Sequence, residues 1–444
     1  MYLIISIFLV IFALILSYFA TRNIFSVVFI SGGFLTLSFI GCCLLVGPPY
    51  YPLPFYFSLS MLSLALGAFF ANELKRFSPS RELDRFRELK INSPFKFDTP
   101  FSLAFLSLVI LNILAISYLF LKTGIPFFAE IPEVAKVEMA GSSNWLLVRC
   151  LRYFLPILLL ILFLYQYKTK KNLTRMGFLF LLLLLAVIYL FYGWKGYFFA
   201  YVGIPLLMLY ALMGKIKIRD LVLLFFLGLL AAIPLYSGML KTTDFRVILN
   251  AIFNRLTVAQ ALGVNWVVTN LVPKEGLFYG ATFKMDIERI LYVVGISKEE
   301  ALSFAGFLVK YETGENPGGR LAVAPSLFGE LYANFGLFFG ILGIFFAGFF
   351  LHLLYIKTLR SSKNIFYLPF YIFFQLALFF AIVNGHTFIT LIDIGLFTII
   401  LLFLLIIFYI FFELPTGRII LLRKNMFIKI NSKKENLFEK KERY

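Results

Sequence analysis

"MYLIISIFLVIFALILSYFATRN", residues 1–23, carries no charge before Arg22. A run of about 20 apolar residues is the length an α-helix needs to cross a hydrocarbon core. No basic stretch precedes it, so it reads as a permanent anchor rather than a removable signal peptide. Working outward, comparable runs recur near 2–20, 24–46, 52–72, 101–121, 146–166, 176–193, 197–213, 219–238, 334–356, 365–384 and 393–412, about eleven spans in all. Composition agrees: 61% of the 444 residues are hydrophobic and only 14% charged, whereas a soluble domain carries roughly 25% charge. The expected fold class is all-α, a polytopic integral membrane protein.

The net charge of +18 would suggest nucleic acid in a soluble chain, but its placement says otherwise. Basic residues gather at Arg22, at Lys75–Lys96, Lys168–Arg175, Lys215–Arg219 and Lys357–Lys363, and from Arg418 onward. Each cluster follows an odd-numbered span or precedes an even-numbered one. The positive-inside rule then puts the N-terminus outside and the C-terminus in the cytoplasm of the plasma membrane. An odd number of spans agrees with termini on opposite sides, and no nucleic-acid partner is implied. Cys42, Cys43 and Cys150 lie in apolar runs, so no disulfide framework follows and the redox compartment stays open.

The organisation expected is a bundle over 1–238, a large extracytoplasmic loop over 239–332, further spans over 333–412 and a basic cytoplasmic tail over 413–444. Within 73–100, Leu83, Phe86 and Leu89 recur at helical spacing beside Arg81 and Arg85, which predicts an amphipathic helix at the headgroups. Loop 122–145 holds two prolines and is expected to fold over the outer face. The long segment 241–332 has nine Lys/Arg and nine Asp/Glu, and so no net charge. "TDFRVILNAIFNRLTVAQALGVNWVV" has helical periodicity, and Ser297 with Glu300 has capping-box spacing, predicting a helix start there. Loops of this length with their own helices are usually functional. There is neither an internal repeat nor a low-complexity tract.

The candidate chemistry sits in "NPGGRLAVAPSLFGELYANFG", residues 316–336. Pro325 suits the first position of a helix. Ser326, Glu330 and Asn334 then fall at i, i+4 and i+8, one polar line that should face protein or a water-filled cavity rather than lipid. The plainer reading is that Glu330 pairs with Arg320 and staples the loop. Gly336 and Gly340 have the spacing of a helix-packing pair. Arg246, Arg255, Arg289 and Arg320 lie on the external segment, and Arg149 and Arg152 near the outer start of span five. Guanidinium forks suit phosphate oxygens, although any one of them can simply be solvated or ion-paired. Lys195, in "YGWKGYF", is either a ligand-side cation at a tight turn or a snorkelling boundary residue. His386 is a candidate general base, while His352 reads as structural. Asp286 and Glu288 are a weak candidate cation pair for which solvation is the simpler reading. No P-loop, HExxH or paired CxxC occurs, and no metal or cofactor is expected.

With these residues in view, the chain resembles the O-antigen polymerase (Wzy) family of oligosaccharide repeat-unit polymerases. The resemblance rests on many spans with one large late external segment, on "PSLFGELYANFG", and on "GWKGYF", where relatives often carry arginine and this chain has Lys195. It implies a GT-C-like membrane glycosyltransferase architecture and transfer of a growing glycan from polyprenyl diphosphate to a hydroxyl of the next lipid-linked unit. It further implies the lipid bilayer and possible chain-length regulators as partners. On that reading Arg320, Arg255 and Arg246 hold the diphosphate, with Arg289 and Arg152 as further substrate contacts. Glu330 orients Arg320 or binds sugar, Lys195 assists at the headgroup, Asn334 and His386 line the site, and Tyr279 with Phe278 stacks on sugar rings. An O-antigen ligase, another lipid-linked-sugar transferase, a flippase-type transporter and a structural scaffold are the competing readings.

Overall fold

The computed structural model describes residues 2–45, 52–92, 99–130, 135, 139, 145–192, 198–214, 233, 236–237, 242–293, 296–299, 301–314, 323–385 and 387–413. Among them the chain is helical apart from turns and one isolated bridge, Asn92 with Asn364. The elements are α1 (Tyr2–Thr21), α2 (Val27–Leu45), α3 (Pro52–Lys75), α4 (Pro79–Glu88), α5 (Thr99–Thr123), α6 (Trp145–Thr169), α7 (Asn172–Phe191) and α8 (Ile204–Met213). They continue with α9 (Phe245–Leu256), α10 (Val258–Trp266), α11 (Val272–Glu275), α12 (Ala281–Val293), α13 (Phe304–Thr313), α14 (Ser326–Arg360), α15 (Tyr367–Asn384) and α16 (Thr387–Glu413).

Nine described helical stretches are long and apolar enough to cross a membrane, and the protein is a multi-pass membrane protein. Eight of them coincide with expected spans, and Phe199–Met213 and Gly395–Phe411 are shorter apolar helices at two more. The expected span at 219–238 lies almost wholly outside the described residues. The ninth stretch, Phe245–Glu275, falls where the sequence suggested an extracytoplasmic loop. Its charges are Arg246, Arg255, Lys274 and Glu275, and none occurs from Leu256 to Pro273. That stretch packs on α2, where Gly41 faces the Thr257 carbonyl so closely that no Cβ fits between them.

α3 and α14 run side by side in the same direction at the centre. Gly67 abuts the Phe345 carbonyl, Gly348 abuts the Leu64 carbonyl, and Ser63 Oγ donates to the Ile341 carbonyl at 2.8 Å. Small residues allow such approach, which matters because lipid tails give apolar helices no hydrophobic reason to associate. Toward the end where the basic clusters gather, Nε2 of buried His352 lies 2.6 Å from Asn72 Oδ1, and Asn72 Nδ2 donates to the Ala20 carbonyl at 2.8 Å. Tyr355 donates to the Thr21 carbonyl at 3.2 Å. His352 is therefore part of a helix-joining polar network, as its position suggested.

The amphipathic helix corrects one expectation. α4 buries Leu83 and Phe86 against the bundle instead of laying them among headgroups, and Leu89 lies beyond its end and is exposed. Buried Lys363 donates to the Arg87 carbonyl at 2.7 Å with its ammonium 5.1 Å from the Phe86 ring centre. Asn92 N–H donates to the Lys363 carbonyl, and Ile365 N–H to the Asn92 carbonyl. Arg87 reaches the Ala211 carbonyl at 3.1 Å. Loop 73–92 is thereby clasped to α8 and to the α14–α15 connection. Of loop 122–145, the short turn Pro126–Phe128 rests Phe128 on Phe191, with ring centroids 5.9 Å apart.

Two outcomes follow. Gly348→Leu should cost about 1–3 kcal/mol by overpacking, read as a lower unfolding midpoint in detergent; an unchanged midpoint would mean α3 and α14 do not touch there. Burial, and then the neighbouring Arg87, push Lys363 down from 10.5 to about 8. Between those values the unfolded chain holds a proton that the folded chain has shed, so this group makes stability rise with pH across that window. The wild-type minus Lys363→Met difference in midpoint should climb from pH 8 toward 10.5, and a flat difference would contradict the buried placement.

Candidate functional site

At the end of the bundle away from the basic clusters, the polar line forms as the spacing required. Ser326, Glu330 and Asn334 are 1%, 0% and 0% exposed. They lie on the first part of α14, which is not one straight helix. Gly336 takes φ 74° and ψ −175°, a conformation open to glycine. Beyond it the chain turns enough for Gly340 and Gly343 to lie against Leu331 and Tyr332. Gly336 is thus a break between two helical pieces, not the first member of a packing pair. Pro325 stands just before the helix, and Ser326 is held at φ 53°, a strained setting for a residue with a side chain. Its Oγ accepts from Gly329 N–H at 3.4 Å.

Asn334 is fully engaged within the protein. Its Oδ1 accepts from Gly280 N–H at 2.9 Å and Thr282 N–H at 3.4 Å, and its Nδ2 donates to Thr282 Oγ1 at 2.5 Å and the Glu330 carbonyl at 2.9 Å. It caps the start of α12 from another helix. In return, Phe278 and Tyr279 N–H groups donate to the carbonyls of Ala333 and Asn334. The "GLFYG" turn, with Gly276, Tyr279 and Gly280 all at positive φ, is bolted to the short helical piece 326–335. Its four polar ties make Asn334 a positioning residue. Tyr279 projects outward, 80% exposed.

The same end brings other segments in. Gly263 packs on the Ala324 carbonyl and Pro325 N, Gly329 on Val264, and Gly385 on Pro325 and the Ser326 carbonyl. Alongside lies an apolar groove of about 320 Å³, lined by Leu327, Ala347, Phe350, Leu351, Leu354, Phe374 and neighbours as far as Ile382. It begins one residue from Ser326.

The arginines are less gathered than a shared cradle requires. Arg246 and Arg255 are exposed on α9, and a nine-residue separation at about 100° per residue puts them on opposite faces. Arg289 donates to the Ala301 carbonyl at 3.1 Å and lies 5.3 Å from the Tyr292 ring centre. Arg149 and Arg152 are half-buried, and Arg152 lies in a separate aromatic nest. The Arg152 guanidinium is 5.8 Å from the Tyr201 ring centre, Tyr189 donates to its carbonyl at 3.1 Å, and Tyr153 packs edge-on to Tyr201. Tyr201 belongs to a π-helical turn, Phe199–Gly203, a local widening frequent at functional sites. Arg320, Lys195 and His386 lie outside the described residues.

Asp286 and Glu288 do not share a site. Asp286 is buried and accepts from Phe304 N–H at 3.2 Å, whereas Glu288 pairs with Lys284 at 3.5 Å. The helix expected to begin at Ser297 begins at Phe304, because Ser303 Oγ, accepting from Gly306 N–H at 3.3 Å, is its cap. Among the described residues no group of three or more His, Cys, Asp or Glu is placed to hold a metal ion. The sequence singled out Phe278 but not the cleft of about 350 Å³ that it lines with Glu275, Leu277, Phe307 and Tyr311. Its residues come from two separate helices and a turn, so no spacing announces it.

Class is as far as likeness goes: a polytopic helical membrane protein with a buried polar line at one end. No family model, curated protein or solved structure matches the chain.

Asn334→Ala should remove the cap and orphan the buried Thr282 amide and the half-buried Gly280 amide, costing about 1–3 kcal/mol, with faster trypsin cleavage at Lys284. Asn334→Asp, which keeps the acceptor, should lose less. Equal behaviour of the two variants would contradict the capping role.

Proposed function

We propose that this protein is a membrane glycosyltransferase of the oligosaccharide repeat-unit polymerase kind, working on the outer face of the plasma membrane with polyprenyl-diphosphate-linked units. The observation that carries the reading is the juxtaposition of a wholly buried carboxylate residue, Glu330, and a strained Ser326 with an apolar groove starting at Leu327. A lipid-linked sugar needs both halves: apolar surface for the isoprenoid and polar groups at membrane depth for the headgroup. Intramembrane polar residues are functional by default, because facing lipid is costly.

The reaction joins the reducing-end anomeric carbon of the growing glycan to an acceptor hydroxyl. The bond to diphosphate breaks, the electron pair leaves on polyprenyl diphosphate, and the hydroxyl proton passes to a base or to water. Diphosphate is already a capable leaving group, so the work is alignment and stabilisation of departing charge. Glu330 orients Arg320 or binds sugar, and Arg320 receives the departing charge. Arg255, exposed at the end of α9, is the second cation, Lys195 assists at the headgroup, and His386 is the candidate base. With the basic clusters in the cytoplasm, this site faces outward. A transporter is the second reading, favoured by the break at Gly336, since discontinuous helices line many transport sites.

The test is reconstitution in nanodiscs with a lipid-linked repeat unit and no added divalent cation. A ladder of products is expected, reduced about 100-fold or more in Arg320→Ala and Glu330→Gln, the size of effect of losing one charge-stabilising group. A ladder indifferent to both substitutions removes this site; no product from folded protein with its own substrate favours transport.

A further inference from the structure

The cleft between the "GLFYG" turn and α13 has a composition that narrows its ligand. Its walls are aromatic: the Phe278 and Phe307 rings meet edge to face, with centroids 6.0 Å apart and planes at 72°, and Phe307 and Tyr311 lie at 6.1 Å and 33°. Its polar groups are paired at one side, where Tyr311 donates its hydroxyl proton to Glu275 Oε1 at 3.0 Å. Partial burial, and then Glu275, raise the Tyr311 phenol above its ordinary value, so it stays protonated. The Glu275 side chain keeps its other oxygen, and the phenol oxygen its lone pairs, for hydroxyl donors.

The platform beneath is firm. Val267, Leu271, Phe304, Leu308 and Ala333 form a closed apolar cluster, and Asn270 Nδ2 donates to Glu312 Oε2 at 2.9 Å, pinning α13 to the helical turn Val267–Leu271. Lys274 and Glu275 on α11, and Lys310 and Glu312 on α13, balance in charge on the two helices that contribute to the cleft. An anion would meet the Glu275 carboxylate, and a purely apolar chain would leave that carboxylate and the phenol desolvated. A pyranose fits both walls, since its C–H face is electropositive toward the negative face of an aromatic ring and its hydroxyl rim matches the carboxylate–phenol pair. The volume of about 350 Å³ falls at the small end of ligand sites, enough for one or two sugar rings.

We propose that this cleft binds a sugar ring of the glycan, with Phe307 packing on its C–H face, Phe278 closing one edge, and Glu275 and Tyr311 accepting from its hydroxyls. That the sugar belongs to a glycan under elongation rests on the function proposed above; the presence of a saccharide subsite does not. The cleft is joined to the buried polar line, because the backbone N–H of its wall residue Phe278 is held by the Ala333 carbonyl, three residues from Glu330. A glycan seated here is therefore held in register with the reacting end.

The test uses the full chain in nanodiscs and saturation-transfer difference NMR with a fixed panel: glucose, galactose, N-acetylglucosamine, N-acetylgalactosamine, N-acetylmannosamine, rhamnose and glucuronic acid, with choline as a cation control. At least one pyranose should show transfer confined to the protons of one ring face. Phe307→Ala should weaken it about tenfold or more, Phe307→Trp should retain it, and Glu275→Gln and Tyr311→Phe should each weaken it several-fold with unchanged unfolding midpoints. No pyranose signal sensitive to these substitutions, or choline binding in their place, overturns the proposal. Product ladders separate the two readings: a normal ladder from Phe307→Ala together with no sugar signal sinks the subsite alone. Sugar binding in the cleft without any ladder sinks the polymerase alone.

Discussion

Everything else in the bundle hangs on the close approach of α3 and α14. In lipid, apolar surface gives no preference for protein neighbours over acyl chains, so association has to come from shape and from polar contacts across helices. Gly67 and Gly348 supply the shape by letting each helix press its Cα on the other's backbone carbonyl, and Ser63 adds a hydrogen bond to Ile341. Further along, the same pair closes on His352 and Asn72, and the clasp of Lys363 on Arg87 locks the connection after α14 to the helix after α3. The basic end is consequently over-determined, with four separate segments meeting through backbone carbonyls.

The opposite end is built on different terms. Here the segments are short, their ends numerous, and every helix end exposes amides and carbonyls that lipid cannot satisfy. The chain answers with exchanged caps: Asn334 serves the start of α12, the "GLFYG" turn serves the carbonyls of the 326–335 piece, and Asp286 serves the start of α13. Polar residues that look like ligands in the sequence are partly used up in this exchange. Glu330 and Ser326 flank Leu327, a lining residue of the groove, which is why the functional reading concentrates on them.

The spans were legible because about 20 uncharged residues in a row have one reading in water and lipid alike. The polar line was legible because its i, i+4, i+8 spacing needs only a helix to become a stripe. Phe245–Glu275 was harder: its charges give it the look of a surface segment, and only its uncharged stretch and its fit against Gly41 mark it as bundle-packed. The fate of α4 was illegible in principle, since an apolar face such as Leu83 and Phe86 suits a headgroup layer and a protein surface equally. The start of α13 turned on which of two serines caps it, and tertiary contact through Asp286 settled that in favour of Ser303. The cleft of Glu275, Phe307 and Tyr311 left no trace in local pattern because its walls are distant in the chain.

Gly336 has a mechanical meaning as well. A helix that breaks there and surrenders its last carbonyls to Phe278 and Tyr279 is spliced to the turn as well as packed on the span that follows. The 326–335 piece and the "GLFYG" turn therefore form one hydrogen-bonded unit, set off from the rest of α14 by one residue whose torsions glycine alone tolerates cheaply. Leu331 and Tyr332 pack that unit back against Gly340 and Gly343, so the break turns the chain without freeing it.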